Sequence, residues 1–79
     1  MFKLEFNPMN GYIVGEQAAG ENEYGFEYSV VKSSWSYGGE RGLYEFAGYD
    51  EAGEMVHDKV SGWLTLKEAT EMAEGWKGK

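Results

Sequence analysis

Helical periodicity is confined to the C-terminal end of the chain, and this is what most restricts the fold. Thr65-Leu66-Lys67-Glu68 is a capping box, in which the Thr hydroxyl and the Glu carboxylate each satisfy an orphan amide of the other's residue. Leu66, Ala69, Met72, Ala73 and Trp76 follow as one apolar stripe, with Glu68, Glu71 and Glu74 pointing away from it. Lys77 and Lys79 sit where the helix dipole favours cations. Everything before Thr65 reads as strand and turn.

Phe2, Leu4 and Phe6 alternate with Lys3 and Glu5, the period of a half-buried strand. Asn7-Pro8-Met9-Asn10-Gly11 is a turn, and Tyr12-Ile13-Val14 opens a second strand that weakens at Gly15. Gln17 to Glu23 reads as a polar loop. Tyr24, Phe26, Tyr28 and Val30 then form the clearest strand, and Ser33 to Tyr37 continues its alternation. Gly38 to Gly42 is a turn, and Leu43 to Tyr49 a further strand. Asp50-Glu51-Ala52-Gly53 is a hairpin loop, with Glu54 to Val60 as the returning partner. The expected architecture is α+β: a four- to five-stranded antiparallel sheet with one C-terminal helix packed on one face. At 79 residues the whole chain, 1–79, is one domain. One helix cannot cover both faces of such a sheet, and antiparallel sheets tolerate one wet face.

With no Cys there is neither a disulfide framework nor a thiol nucleophile, so a thin core depends on the 16% aromatic content. The N-terminus lacks a signal-peptide apolar run, and no stretch approaches the ~20 apolar residues of a membrane span. The expectation is a soluble cytoplasmic protein.

No catalytic constellation emerges. His57, the single histidine, lies in the expected returning strand with no nucleophile tied to it by any motif. Asp50, Glu51, Glu54 and Asp58 lack the ligand ladder of a calcium loop. Gly38-Gly39-Glu40-Arg41-Gly42 lacks the Lys-Ser/Thr of a phosphate loop. A non-enzymatic protein with no cofactor and no metal is expected.

Charge is the informative feature. There are 14 Asp and Glu against 7 Lys and Arg, a net charge of −7. No basic residue lies between Lys3 and Lys32, whereas Glu5, Glu16, Glu21, Glu23 and Glu27 do. From Glu40 to Asp58 six carboxylates face one arginine. This balance argues against direct contact with a phosphate backbone, which needs a basic footprint. It suits steering onto a basic surface, such as that of a protein whose own ligand is nucleic acid.

Two resemblances bear on these segments. Leu43–Tyr49, Asp50–Gly53, Glu54–Val60 and Thr65-Leu66-Lys67-Glu68-Ala69 resemble the arm-binding domain of phage-type integrases, with three strands and then a helix opening on a Thr-x-x-Glu-Ala box. The chain departs from that family in carrying Glu45, Asp50, Glu51, Glu54 and Asp58 where DNA-reading strands are basic. As a whole it also resembles the small, acidic, Cys-free, aromatic-rich anti-CRISPR proteins of phages, those directed at type I systems and type I-C among them. That resemblance implies a monomeric inhibitor, in a bacterial host cell, that binds a subunit of a CRISPR effector complex and blocks target DNA. Glu16, Glu21, Glu23, Glu27, Asp50, Glu51, Glu54 and Asp58 are the candidate carboxylates, and Trp35, Tyr37 and Tyr49 the candidate aromatic anchors. The alternative is a small phage accessory or integrase-arm-like domain with a structural or nucleic-acid-binding role.

Overall fold

The computed structural model describes residues 2–9, 14–33 and 41–79. Five antiparallel strands lie side by side in chain order: β1 (Asn7–Pro8), β2 (Gly15–Glu21), β3 (Glu27–Ser33), β4 (Tyr44–Gly48) and β5 (Ser61–Leu64). Helix α1 (Leu66–Gly75) follows β5 and packs chiefly on β4. The architecture is α+β, a five-stranded antiparallel sheet with one C-terminal helix.

Residues opposite one another in an antiparallel ladder share a face, and faces alternate along a strand. Ala18 opposes Val30 and Val30 opposes Phe46, so these three side chains form the centre of the covered face. Val30 and Phe46 are completely buried, which is worth roughly 1.5–3 kcal/mol each. Tyr28, Tyr44, Ala69, Ala73 and Trp76 complete this core, with the Trp76 indole meeting Phe46 edge-on at 5.6 Å. The alanines let the helix approach the sheet closely. Thr65 caps α1 as its sequence predicts: its amide donates to Glu68 Oε1 at 2.9 Å, and its hydroxyl accepts from the Glu68 amide at 3.1 Å. The Thr65 amide, and after it the Thr65 side chain, holds the Glu68 carboxyl below the usual range. Leu66 is a correction to the expected stripe. It stays 49% exposed, and burial begins three residues later at Ala69.

The same face has a second cover. Residues 2–6 pair with no strand, correcting the expected N-terminal strand; only Asn7 and Pro8 do, within the expected turn. The alternation still sorts the side chains, because Leu4 is buried while Lys3 and Glu5 are exposed. Phe2 packs on Tyr28 at 5.7 Å and Phe6 on Tyr44 at 5.4 Å. The segment therefore lies over the sheet beside α1 instead of extending its edge.

The expected polar loop at Gln17–Glu23 is largely strand β2. Its small residues are a fit to β3: Ala18 is buried opposite Val30, and Gly20 lies opposite Tyr28, where a Cβ would stand 3.0 Å from the phenol oxygen. The expected Tyr24–Val31 strand starts only at Glu27. Asn22 closes a turn ahead of it, its Oδ1 accepting from the Tyr24 amide at 3.0 Å and the Phe26 amide at 3.2 Å. Asn10 to Ile13, and the expected continuation through Ser34 to Tyr37 with the glycines after it, lie outside the described residues.

The expected return at Glu54–Val60 is also corrected. The Asp50–Gly53 turn forms as read, with Asp50 Oδ1 accepting from the amides of Ala52 at 2.9 Å and Glu54 at 3.0 Å. Beyond it only Met55 bridges back, to Tyr49, before a 3-10 turn at His57–Lys59. The strand that pairs with β4 is β5. Tyr44 opposes Leu64 while Phe46 opposes Ser61, so β5 carries one extra residue, a β-bulge. Trp63 lies in this bulge with a φ of 60°, in the left-handed region, and is 56% exposed.

Candidate protein-binding surface

The odd-numbered positions of β2 and β3 build the opposite face: Gln17, Ala19 and Glu21, then Glu27, Ser29 and Val31. Ala47 of β4 opposes Ser29, and Tyr49, just past β4, donates its amide to the Glu27 carbonyl at 3.0 Å. Among the described residues no helix or strand packs on this face, since α1 and residues 2–6 both lie on the other. Apart from the half-buried Val31 and Tyr49, its side chains are small or polar, as a wet face requires. Gln17 Nε2 donates to Ser29 Oγ at 2.8 Å, fastening β2 to β3 across it. Between these residues lies a shallow depression of about 440 Å³, with Gln17, Ala19, Ser29, Glu21, Glu27 and Tyr49 among its lining.

The topology gathers charge at one end of this face. The β2–β3 turn and the Asp50–Gly53 turn lie at the same end of the sheet, since Glu21 opposes Glu27 and Glu27 bonds to Tyr49. Glu21, Glu23, Glu27, Asp50, Glu51 and Glu54 are thus brought together from three strand ends. Glu21 and Glu27 are exposed and directly opposite, a like-charge pairing that costs stability. Among the described residues none of the six has a cation within ion-pair distance. Lys77 lies by the turns, its ammonium 4.8 Å from the Tyr24 ring centroid, and with Lys79 it shares a cleft with Asp50 and Glu51.

Not every candidate joins this group. Glu16 is at the opposite end of β2, 3.6 Å from Lys32 Nζ, so that part of the expected acidic field is already countered. Asp58 is exposed in the 3-10 turn, beyond the bridge of Met55 to Tyr49. Trp35 and Tyr37 lie outside the described residues. Tyr49 does reach the surface, half-buried, while its carbonyl accepts from the Trp76 indole at 2.8 Å. The Asp50 carboxylate is occupied by its own turn, which leaves Glu51 and Glu54 as the freer groups of that hairpin.

Three elements of the site escape a reading of the sequence. Gln17, Ala19 and Ser29 line it, and their polar or small odd-numbered spacing is visible only once β2 is known to be a strand. Asn22 carries no pattern at all, yet it is buried and holds the acidic turn in place. Trp63, with the Arg41 guanidinium 5.8 Å from its ring, forms a separate aromatic prominence.

His57 is exposed and contributes to no cluster. Among the described residues no three His, Asp or Glu side chains converge to hold a metal ion, and no helix is long and apolar enough to cross a membrane. Comparison of the chain with protein-family models, with curated proteins and with solved structures finds no match.

Proposed function

We propose that this chain is a stoichiometric, non-enzymatic binding protein. Its acidic sheet end occupies a basic nucleic-acid-binding surface on another protein, that of a type I CRISPR effector complex, and so excludes target DNA. The observation that supports this most is the gathering of Glu21, Glu23, Glu27, Glu51 and Glu54 at one end with no cation in ion-pair reach among the described residues. Carboxylates presented from strand ends and the turns that join them are positioned to meet Lys and Arg that otherwise hold phosphates. The opposed signs accelerate encounter, and the effect weakens as salt screens it. Tyr49 adds an aromatic contact at the edge of this charge, of the kind enriched at interface centres.

Order of addition tests the reading. The protein, incubated with a purified type I effector complex before DNA, abolishes target binding at a stoichiometric ratio, and less completely at higher salt. Normal target binding by such complexes at saturating protein contradicts it. The succession of β3, β4, β5 and the Thr65-capped helix favours a second reading, an integrase-arm-like domain. A gel shift of duplex DNA by the protein alone at low salt would support that reading instead.

A further inference from the structure

Strand β2 carries an unfinished edge. The Met9 amide donates to the Gly15 carbonyl at 3.0 Å, so the backbone of Gly15 faces β1. Backbone direction alternates along a regular strand, and β2 is in unbroken register with β3 from Gly15 to Glu21. Gln17, Ala19 and Glu21 therefore point their amides and carbonyls toward the β1 side, while Ala18 and Gly20 bond to β3. Asn7 is opposite Gln17, but β1 ends there, because residues 2–6 leave the sheet plane to place Phe2, Leu4 and Phe6 on the core. Among the described residues Ala19 and Glu21 keep two N–H and two C=O groups directed outward with no partner.

Exposed edges are commonly guarded by a lysine, a proline, a bulge or a covering loop. Ala18-Ala19-Gly20 carries no lysine, proline or bulge, and Ala19 at its centre is exposed. The carboxylates at its end, Glu21, Glu23 and Glu27, are all exposed, and Glu5 is near enough to act on the Tyr28 phenol beside Gly20. We infer that this edge accepts an extended, basic segment of a protein partner, which adds as a strand beside Ala18–Glu21 and continues the line of β1. Up to four backbone hydrogen bonds to Ala19 and Glu21 supply the docking, and side chains on the acidic face place Lys or Arg against Glu21 and Glu27. A second copy of this chain is the disfavoured occupant, because edge-to-edge pairing would set two chains of net charge −7 together at their most acidic end. The inference rests on the proposed docking to a basic protein and specifies how that docking is made.

The probe is an eight-residue peptide of alternating Arg and Val, titrated into the 15N-labelled full chain. The amides of Ala19 and Glu21 gain protection from hydrogen exchange, and the peptide N-methylated at alternate residues on its bonding edge binds about tenfold or more weakly at equal charge. Ala19→Pro removes one outward N–H without touching the β3 ladder, and it lowers affinity for the unmodified peptide while far-UV circular dichroism is retained. Equal binding of both peptides, protection confined to the Asp50–Glu54 turn, or no binding at all would overturn the inference. If Ala19→Pro, folded, blocks an effector complex as well as the wild type while charge reversal at Glu21 and Glu27 does not, acidic docking stands and strand addition is wrong.

Discussion

Asn22 fastens the acidic turn to the end of the helix by way of Trp76. Its side-chain amide donates to the Trp76 carbonyl at 2.7 Å and to the Ala73 carbonyl at 2.9 Å, while its Oδ1 takes the Tyr24 and Phe26 amides. One buried side chain thus satisfies two last-turn carbonyls and shapes the β2–β3 turn. Asn22→Ala strands these groups and should cost about 2–4 kcal/mol in urea unfolding. Asn22→Asp keeps the acceptor but cannot donate to the carbonyls, and should cost about 1–3 kcal/mol. If both variants unfold with the wild type, Asn22 is not the tie described.

Gly48 and Trp76 make a second such dependence. A Cβ on Gly48 would stand inside the Trp76 indole, which is fixed by its bond to the Tyr49 carbonyl and by Phe46. Gly48→Ala should destabilise by about 1–3 kcal/mol, with a change in tryptophan fluorescence as the ring is displaced.

Tyr28 sets a limit on alkaline stability. Burial, and secondarily the charge of Glu5, push its phenol above the ordinary value of 10.0. The folded state therefore disfavours the phenolate. The corresponding stability is complete below the unfolded pKa and is lost as pH rises through the folded one. Wild-type unfolding free energy should fall from about pH 10 upward, and Tyr28→Phe should reduce that slope.

Trp63 occupies a conformation that few side chains tolerate. Trp63→Gly removes the left-handed penalty, roughly 1–2 kcal/mol, but loses an exposed stacking contact with Arg41. It should unfold within about 1 kcal/mol of the wild type. Trp63→Val keeps the penalty without the contact, and should be less stable than Trp63→Gly by about 1–2 kcal/mol. Thermal unfolding of the three proteins checks the order.

What a sequence reveals of this fold depends on how strongly each segment is patterned. Tyr28 and Val30, like Tyr44 and Phe46, alternate with polar or small residues because one face is buried, and the Thr65–Glu68 box is a local device. Those elements are legible. Strand β2 is not, because Ala18-Ala19-Gly20 has little pattern of its own; it becomes a strand through Val30 and Tyr28 across the ladder. β5 is hidden for a related reason, since a bulge at Trp63 breaks its alternation. The N-terminal alternation identifies the buried side chains correctly but cannot say whether they sit in a ladder or over it. For the site, the carboxylates can be counted from the sequence, but their grouping cannot. Glu16 separates from Glu21 and Glu27 because it lies at the far end of β2 and, as an even-numbered position, on the other face of the sheet.

The most direct test of the account compares two charge reversals in a competition assay with a type I effector complex and its target DNA. Glu21→Lys, Glu23→Lys and Glu27→Lys together should abolish inhibition, whereas Glu16→Lys, at the opposite end of β2, should leave it near the wild-type level. Equal inhibition by the folded triple variant and the wild type would contradict the claim that the acidic end of the sheet is the contact.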